Sequence, residues 1–349
     1  MDSLTQIVLG GAVAAVIAPP AHRRAALLAG AALGTLPDLD TLPIALLTAD
    51  PIARMVLHRG FSHSLFVLPW IAAAMWWGFW RFGHGRVKQA PKRWFWAIQL
   101  ALITHPLLDA FTVYGTQLWW PLSVSPTMWA SVFIIDPMYT IWLLVACILA
   151  WYWRDRPWTS RALVLGLVLS SAYLGFSLFA KNAVDRHAER SLAAIGLADA
   201  PRFSVPMPLT TLLWRVVALT DDGYVLSDRS LLADHEPMKF VHFPSNTQAL
   251  AEVADLPALQ QLAWFNRGFM RAKVVDGELV ISDLRMGLEP NYNFNFIIAQ
   301  QNEEGRWHAI PPQQPMTAYR APVEGKAFGQ ALKRLWWRIH HPDNRLFEL

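Results

Sequence analysis

The chain has 349 residues, of which 54% are hydrophobic and only 16% charged, with 18 Trp; globular domains carry roughly 25% charge. The apolar excess lies in residues 1–180, which argues against an ordinary soluble fold there. The net charge of +4 without a basic stripe argues against a nucleic-acid partner, and a single cysteine, Cys147, excludes an intramolecular disulfide or a CxxC site.

The first apolar run, 3–18, contains Gly10 and Gly11, which allow close helix packing, and stops at Pro19 and Pro20. No cleavable signal peptide is read there, because Asp2 stands where a basic n-region would be. The run 25–36 is Ala/Gly-rich and ends at Pro37-Asp38-Leu39-Asp40. Residues 41–57 read as a loop or re-entrant piece. The charge-free run 64–80 reads as a spanning helix that Ser62 caps. A basic loop, 81–93, leads to a helix over 94–108 closed by Asp109. Residues 110–135 carry no charge yet hold two Pro and three Trp, which predicts an interfacial loop. A helix from about Val132 through Asp136-Pro137 to Trp153, then a last span over 162–180, complete a reading of about six membrane helices.

With 81–93 taken as cytoplasmic, alternating crossings put ten Lys/Arg on that side (Arg23, Arg24, Arg81, Arg86, Lys88, Lys92, Arg93, Arg154, Arg156 and Arg161) against two, Arg54 and Arg59, on the other. That is a positive-inside asymmetry. It predicts a multi-pass protein of a bacterial inner membrane, with membrane lipids as neighbours. Asp38, Asp40, His58, His63, His105 and Asp109 then share the extracytoplasmic face, as do Asp2 and Asp136.

Beyond Lys181 the pattern changes. Residues 182–198 are amphipathic and helical, and Pro201, Pro206 and Pro208 read as a linker. Strand-like runs follow at 213–219, 224–227, 240–243, 270–275, 278–284 and 294–299, with Asp276-Gly277 as a hairpin turn. Helices are predicted over 256–265 and 327–339. The expected domains are therefore 1–180, transmembrane and helical; 181–210, a helical extension and linker; and 211–349, a small extracytoplasmic α+β domain.

The chemistry concentrates in three stretches of the first half: Pro37-Asp38-Leu39-Asp40, His58-Arg59-Gly60-Phe61-Ser62-His63-Ser64 and Thr104-His105-Pro106-Leu107-Leu108-Asp109. Histidine and carboxylate are the donors of zinc sites, and catalytic sites keep a position open. His105 and Asp109 are four apart and share one face of a helix; Pro106 fits if a new helical segment starts there. Singly, each has a plainer reading: Asp38 or Asp40 caps a helix, His58 lies at an interface, Asp109 ends a helix. Six ligand-type residues on one face favour a metal centre. Arg59 is a candidate anion-binding or catalytic residue, or a snorkelling side chain. Thr104, Thr112, Tyr114 and Ser62 are candidates to orient the ligands. The histidines after Lys181 show no ligand spacing.

These motifs, with Met1-Asp2-Ser3-Leu4-Thr5 and Thr112-Val113-Tyr114-Gly115-Thr116, resemble the YdjM family of bacterial inner-membrane proteins, classed as predicted metal-dependent hydrolases. Segments such as Trp214-Arg215-Val216-Val217 resemble the C-terminal region of its longer members. The resemblance implies a distant similarity to the all-helical zinc-dependent phospholipase C and P1 nuclease group, and so phosphoester hydrolysis. The chain departs from the family pattern at Gln6, where His is usual; if that His is a ligand in other members, the resemblance implies one metal fewer here.

The reading is thus a membrane-embedded metal-dependent hydrolase. The expected cofactor is one or two divalent ions, zinc first, on Asp38, Asp40, His58, His63, His105 and Asp109. Asp38, Asp40 and Arg59 are its candidate catalytic residues, and a phospholipid or other amphiphilic ester is the expected substrate. A cation or metal transporter and a non-catalytic scaffold with a structural metal are the alternatives. Oligomeric state is not legible.

Overall fold

In the computed structural model, which describes residues 1–83, 85–315 and 325–342, the chain divides into two units: residues 1–47 with 57–177, and residues 48–56 with 178–349. The first is helical. α1 (Ser3–Ile17) starts where the Asp2 carboxylate accepts the Thr5 amide at 3.1 Å, and it ends ahead of Pro19 and Pro20. α2 (Arg23–Thr35) packs against it so closely that a Cβ on Gly34 would collide with the Gln6 carbonyl, and one on Gly30 with the Gly10 carbonyl. This small-residue contact sets the carbonyl of Gly34 beside the centre described below.

A 3-10 turn, Leu36–Asp40, carries both carboxylates of the PDLD stretch and runs into α3 (Thr41–Leu47). After α4 (Pro51–Leu57), the chain passes a second 3-10 turn, Phe61–His63, into α5 (Leu68–Phe82). The short α6 (Arg86–Gln89) precedes α7 (Pro91–Asp109), and α8 (Pro137–Tyr152) begins at Asp136, whose carboxylate accepts from the Met138 and Tyr139 amides. α9 (Trp158–Ala193) is a single helix of 36 residues. Leu9, Val13, Leu27, Leu68, Trp94, Ile98, Leu102 and Leu143 are central to the core of this unit.

The second unit is rich in sheet. β1 (Arg202–Pro206), β2 (Leu213–Thr220), β3 (Gly223–Ser230) and β4 (Val241–Pro244) form an antiparallel meander in chain order. Two helices, α10 (Thr247–Glu252) and α11 (Pro257–Asn266), precede β5 (Met270–Val275) and β6 (Glu278–Asp283). The ribbon of β7 (Gly287–Leu288) and β8 (Asn291–Tyr292) follows, then β9 (Asn295–Gln301) and β10 (Trp307–Gln313), giving a second sheet of order β10-β9-β6-β5. Asp276 and Gly277 both take positive φ, 52° and 75°, as a two-residue hairpin of this hand requires. α12 (Gly325–His340) is the last described helix. Arg215 and Asp228 stand directly opposite across β2 and β3 and close a buried bidentate pair at 2.7 and 2.8 Å.

The expected six-helix membrane domain followed by a small α+β domain is not what the chain forms. Among the described residues one helix, α9, is long and apolar enough to cross a membrane. A second counts only if Pro51–His63 and Leu68–Phe82 make one bent span. The C-terminal region is large, with ten strands among the described residues. The physical reason is length. α1, α2, α5 and α8 have 15, 13, 15 and 16 residues, whereas a crossing takes about 20. α7 is long enough at 19 residues but carries Lys92, Arg93, His105 and Asp109. Freedom from charge over a run does not by itself make a span, because it says nothing of helix length.

Smaller differences follow the same logic. Residues 41–57, expected as a loop or re-entrant piece, hold two short helices, α3 and α4. Val132 precedes α8 instead of opening it. Ser62 caps nothing, since α5 starts at Leu68 without a side-chain cap. Pro106 lies inside α7, which runs on to Asp109. Of the three linker prolines, Pro206 ends β1, an edge strand, where a missing amide is tolerated.

Candidate metal centre

Three segments of the helical unit converge. The Leu36–Asp40 turn brings Asp38 and Asp40, the Phe61–His63 turn brings His63, and the last turn of α7 brings His105 and Asp109 on one helix face. His63 Nε2 and His105 Nε2 stand 3.1 Å apart. Asp38 Oδ1 lies 3.3 Å from each of them, and Asp109 Oδ2 lies 3.5 Å from the first and 3.7 Å from the second. Four donors around a zinc ion at 2.0–2.1 Å would stand about 3.3 Å apart. The spacing therefore suits one small cation, and Asp38, His63, His105 and Asp109 form a buried group able to hold a metal ion.

The outer ring nitrogens decide what the inner ones can do. His105 Nδ1 is 2.5 Å from the Gly34 carbonyl, which only accepts, so Nδ1 carries the proton. Ser62 spends its hydroxyl proton on Asp40 Oδ2 and accepts from His63 Nδ1 at 2.9 Å. Two neutral rings would then turn lone pairs towards each other across the 3.1 Å gap, an arrangement that requires a proton or a metal ion between them. Asp38 Oδ1 and Asp109 Oδ2 point at the same place, and both are buried without a hydrogen-bond partner. Asp109 Oδ2 has the Arg59 guanidinium beside it at 3.0 Å, while Asp38 Oδ1 faces the two ring nitrogens, and a buried acceptor so placed is costly unless a proton or a cation meets it.

The supporting contacts surround this group. Asp109 is fully buried; its Oδ1 accepts from Gln6 Nε2 at 3.0 Å and from the Met1 amino group, and its Oδ2 is ion-paired to Arg59 Nε at 3.0 Å without hydrogen-bond alignment. Burial alone would raise the Asp109 carboxyl, but Arg59 and the Met1 amino group outweigh it and hold it well below the usual carboxylate range. Asp38 is likewise held low: burial opposes, and His105 and His63 prevail. Arg59 also donates to Thr112 Oγ1 at 3.2 Å and lies over the Tyr114 ring. Its φ of +64° is rare outside glycine and is secured at both ends: its amide donates to Asp40, and its carbonyl accepts from Gln117.

Of the six candidate ligands, Asp40 and His58 stand outside the four-residue group. His58 Nδ1 donates to Asp40 Oδ1 at 2.7 Å, leaving Nε2 4.0 Å from Asp38 Oδ1. Asp40 thus orients His58 directly and His63 through Ser62, the carboxylate–histidine arrangement that fixes ring tautomers around metals. Thr112 accepts from Arg59 and donates to the Asp109 carbonyl at 2.7 Å, Tyr114 packs against Arg59 and His58, and Thr104 bonds carbonyls of its own helix. Asp2 and Asp136 are helix caps. Sequence reasoning missed two groups. The Met1 amine has no signal in the pattern. The Gly34 carbonyl had one, in the Gly30-xxx-Gly34 spacing.

A family model described as YdjM inner membrane protein matches residues 1–184, more than half of the chain and all of the centre. The chain belongs to the YdjM family. It is also similar to the protein named "Uncharacterized protein YfhP" of Bacillus subtilis (strain 168), with 31% identity over 186 residues covering 50% of this chain and 53% of that protein. The chain spans about half the length of that curated relative. No solved structure matches. The YdjM match supports a membrane location, and within it Gln6 lies at the centre, bonded to Asp109 and to the His105 carbonyl.

Proposed function

We propose that this YdjM protein is a membrane-associated, metal-dependent hydrolase acting on an amphiphilic ester or phosphoester, a phospholipid foremost, with zinc as the metal. The observation that carries the reading is the facing pair of ring nitrogens, with two orphaned carboxylate oxygens aimed at the gap. A divalent ion there supplies Lewis acidity and a nucleophile from water at neutral pH.

The chain's own residues do the rest. Gly34 and Ser62 hold the two inner rings, and Arg59 and Gln6 hold Asp109. The centre opens on one side only: Asp38 and His58 retain 29% and 20% side-chain exposure, while His63, His105 and Asp109 have none. His58 Nε2, with Nδ1 tied to Asp40, faces that side and is placed to pass a proton to or from a bound ester. Exposed Leu39, Leu42 and Phe61 flank it, which suits a substrate with a polar group and an apolar body. Arg23 and Arg24, bonded to Arg154 and Trp151 at the far end of the helices, support the reading of the centre as extracytoplasmic.

The test is turnover of p-nitrophenyl acyl esters, bis(p-nitrophenyl) phosphate and micellar phosphatidylglycerol by the detergent-purified chain. Hydrolysis of one of these is expected, abolished by chelator and in His63→Ala. In His58→Ala it should fall about 10²- to 10⁴-fold, with metal content unchanged. Full metal occupancy with no turnover of any substrate would reassign the centre to a structural role.

A further inference from the structure

The loop 110–135 is held against the centre by backbone bonds. Leu65 donates to the Leu118 carbonyl, Gln117 to the Arg59 carbonyl, and Ser64 Oγ to the Trp120 carbonyl at 2.6 Å. Its ends are tied as firmly: Trp129 and Ser131 amides donate to Ala110 and Phe111 carbonyls, immediately after Asp109. Yet Trp119, Trp120, Leu122, Val124 and Trp129 are exposed, in a stretch of 26 residues without one charge. Phe61 packs edge-on against Trp120, Phe66 lies tilted against Trp119, and both phenylalanines are themselves exposed. A water-facing loop gains nothing from such a surface, and contiguous apolar patches of this kind mark interaction sites.

The level of this loop along α9 identifies its partner. Ser177 of α9 donates to Ser131 Oγ at 3.0 Å, at the loop's end. Towards the other end of α9, two residues before Arg161, Thr159 Oγ1 binds Arg23. Eighteen residues separate Thr159 from Ser177, a rise of about 27 Å, and the hydrocarbon core of a bilayer is about 30 Å thick. The arginine-rich end and the tryptophan-rich loop are therefore one hydrocarbon thickness apart, the separation of two membrane–water interfaces, where tryptophan concentrates.

We propose that the loop 110–135, with Phe61 and Phe66, docks into the interfacial layer of a phospholipid bilayer and holds the open side of the centre at the lipid–water boundary. The occupant is the lipid surface itself. The inference rests on the loop and α9 rather than on catalysis, so it stands or falls separately from the hydrolase reading.

The experiment uses the full chain with Cys147→Ala and one new cysteine, Leu122→Cys or Val124→Cys, labelled with an environment-sensitive fluorophore and reconstituted in phosphatidylcholine–phosphatidylglycerol vesicles. Glu304→Cys, at an exposed turn of the second unit, is the reference. The expected result is loss of iodide quenching at 122 and 124 relative to 304, with stronger quenching by lipid nitroxides near the headgroup than at the chain end. Iodide quenching equal to that at 304 overturns the proposal. So does iodide protection without quenching by any lipid nitroxide, which would mean that a protein or a second copy covers the loop. The same pattern is expected in His63→Ala, where metal binding is impaired and docking is not.

Discussion

Ser62 offers the sharpest test of how the centre is built. Its hydroxyl bridges Asp40 and His63 by hydrogen bonds, where the direct Asp40 Oδ2 to His63 Nδ1 distance is 3.9 Å, too long for one. Ser62→Ala removes that bridge without removing a donor to the metal. His63 is fully buried and keeps its place by packing, but nothing then fixes which ring nitrogen carries the proton. Loss of such an orienting contact lowers metal affinity about 10- to 100-fold, which is about 1.4–2.7 kcal/mol. The metal-free protein, losing one partly exposed hydrogen-bond pair, should lose about 1 kcal/mol of stability or less. The assay is zinc competition against a chromogenic chelator, with thermal unfolding of metal-free protein alongside. Ser62→Thr, which keeps the hydroxyl, should recover most of the affinity. Unchanged zinc affinity in Ser62→Ala would refute the assignment of Asp40 and Ser62 as the groups that orient His63.

Three further outcomes are expected. Gly34→Ala forces a methyl group onto the Gln6 carbonyl; it should destabilise the chain by about 1–3 kcal/mol and, by moving the acceptor of His105 Nδ1, reduce bound metal, both readable by unfolding and elemental analysis. Asp109 is held below its ordinary pKa, so its stabilisation is present above about pH 3.9 and is lost as pH falls further; the stability gap between wild type and Asp109→Asn, measured metal-free, should narrow from pH 5 to pH 2. In the second unit Asp228→Ala takes the paired carboxylate from buried Arg215 and should cost about 3–5 kcal/mol in chemical unfolding, most of it recovered when Arg215→Met is added.

How far the sequence carried depends on what each signal encodes. His105 and Asp109 could be placed on one helix face because their spacing states the geometry outright. His58 and Asp40 were ligand candidates on residue type alone, and spacing does not say which ring nitrogen faces inward; here the Nδ1 contact with Asp40 turns His58 aside. The last charge-free run, 162–180, lies in α9, which is long enough to cross a membrane, whereas the others fall in helices too short to cross alone, and freedom from charge does not report helix length. α9 was divided at Lys181 since its apolar and amphipathic halves differ in pattern, although its backbone is continuous. The strands of the second unit were legible where β-branched and aromatic residues cluster, as in β2 and β5. β1 was hidden behind its flanking prolines, and β10, with two of its own, went unread.

The central claim is that Asp38, His63, His105 and Asp109 hold a metal ion. It is tested most directly by elemental mass spectrometry of the detergent-purified chain beside a His63→Ala, His105→Ala double variant, each before and after reconstitution with zinc, manganese or iron. A stoichiometric divalent metal in the wild type, absent from the variant, is the predicted result. A wild-type chain that stays free of metal under every condition, while folded by circular dichroism, would contradict the account and leave the facing histidines to share a proton.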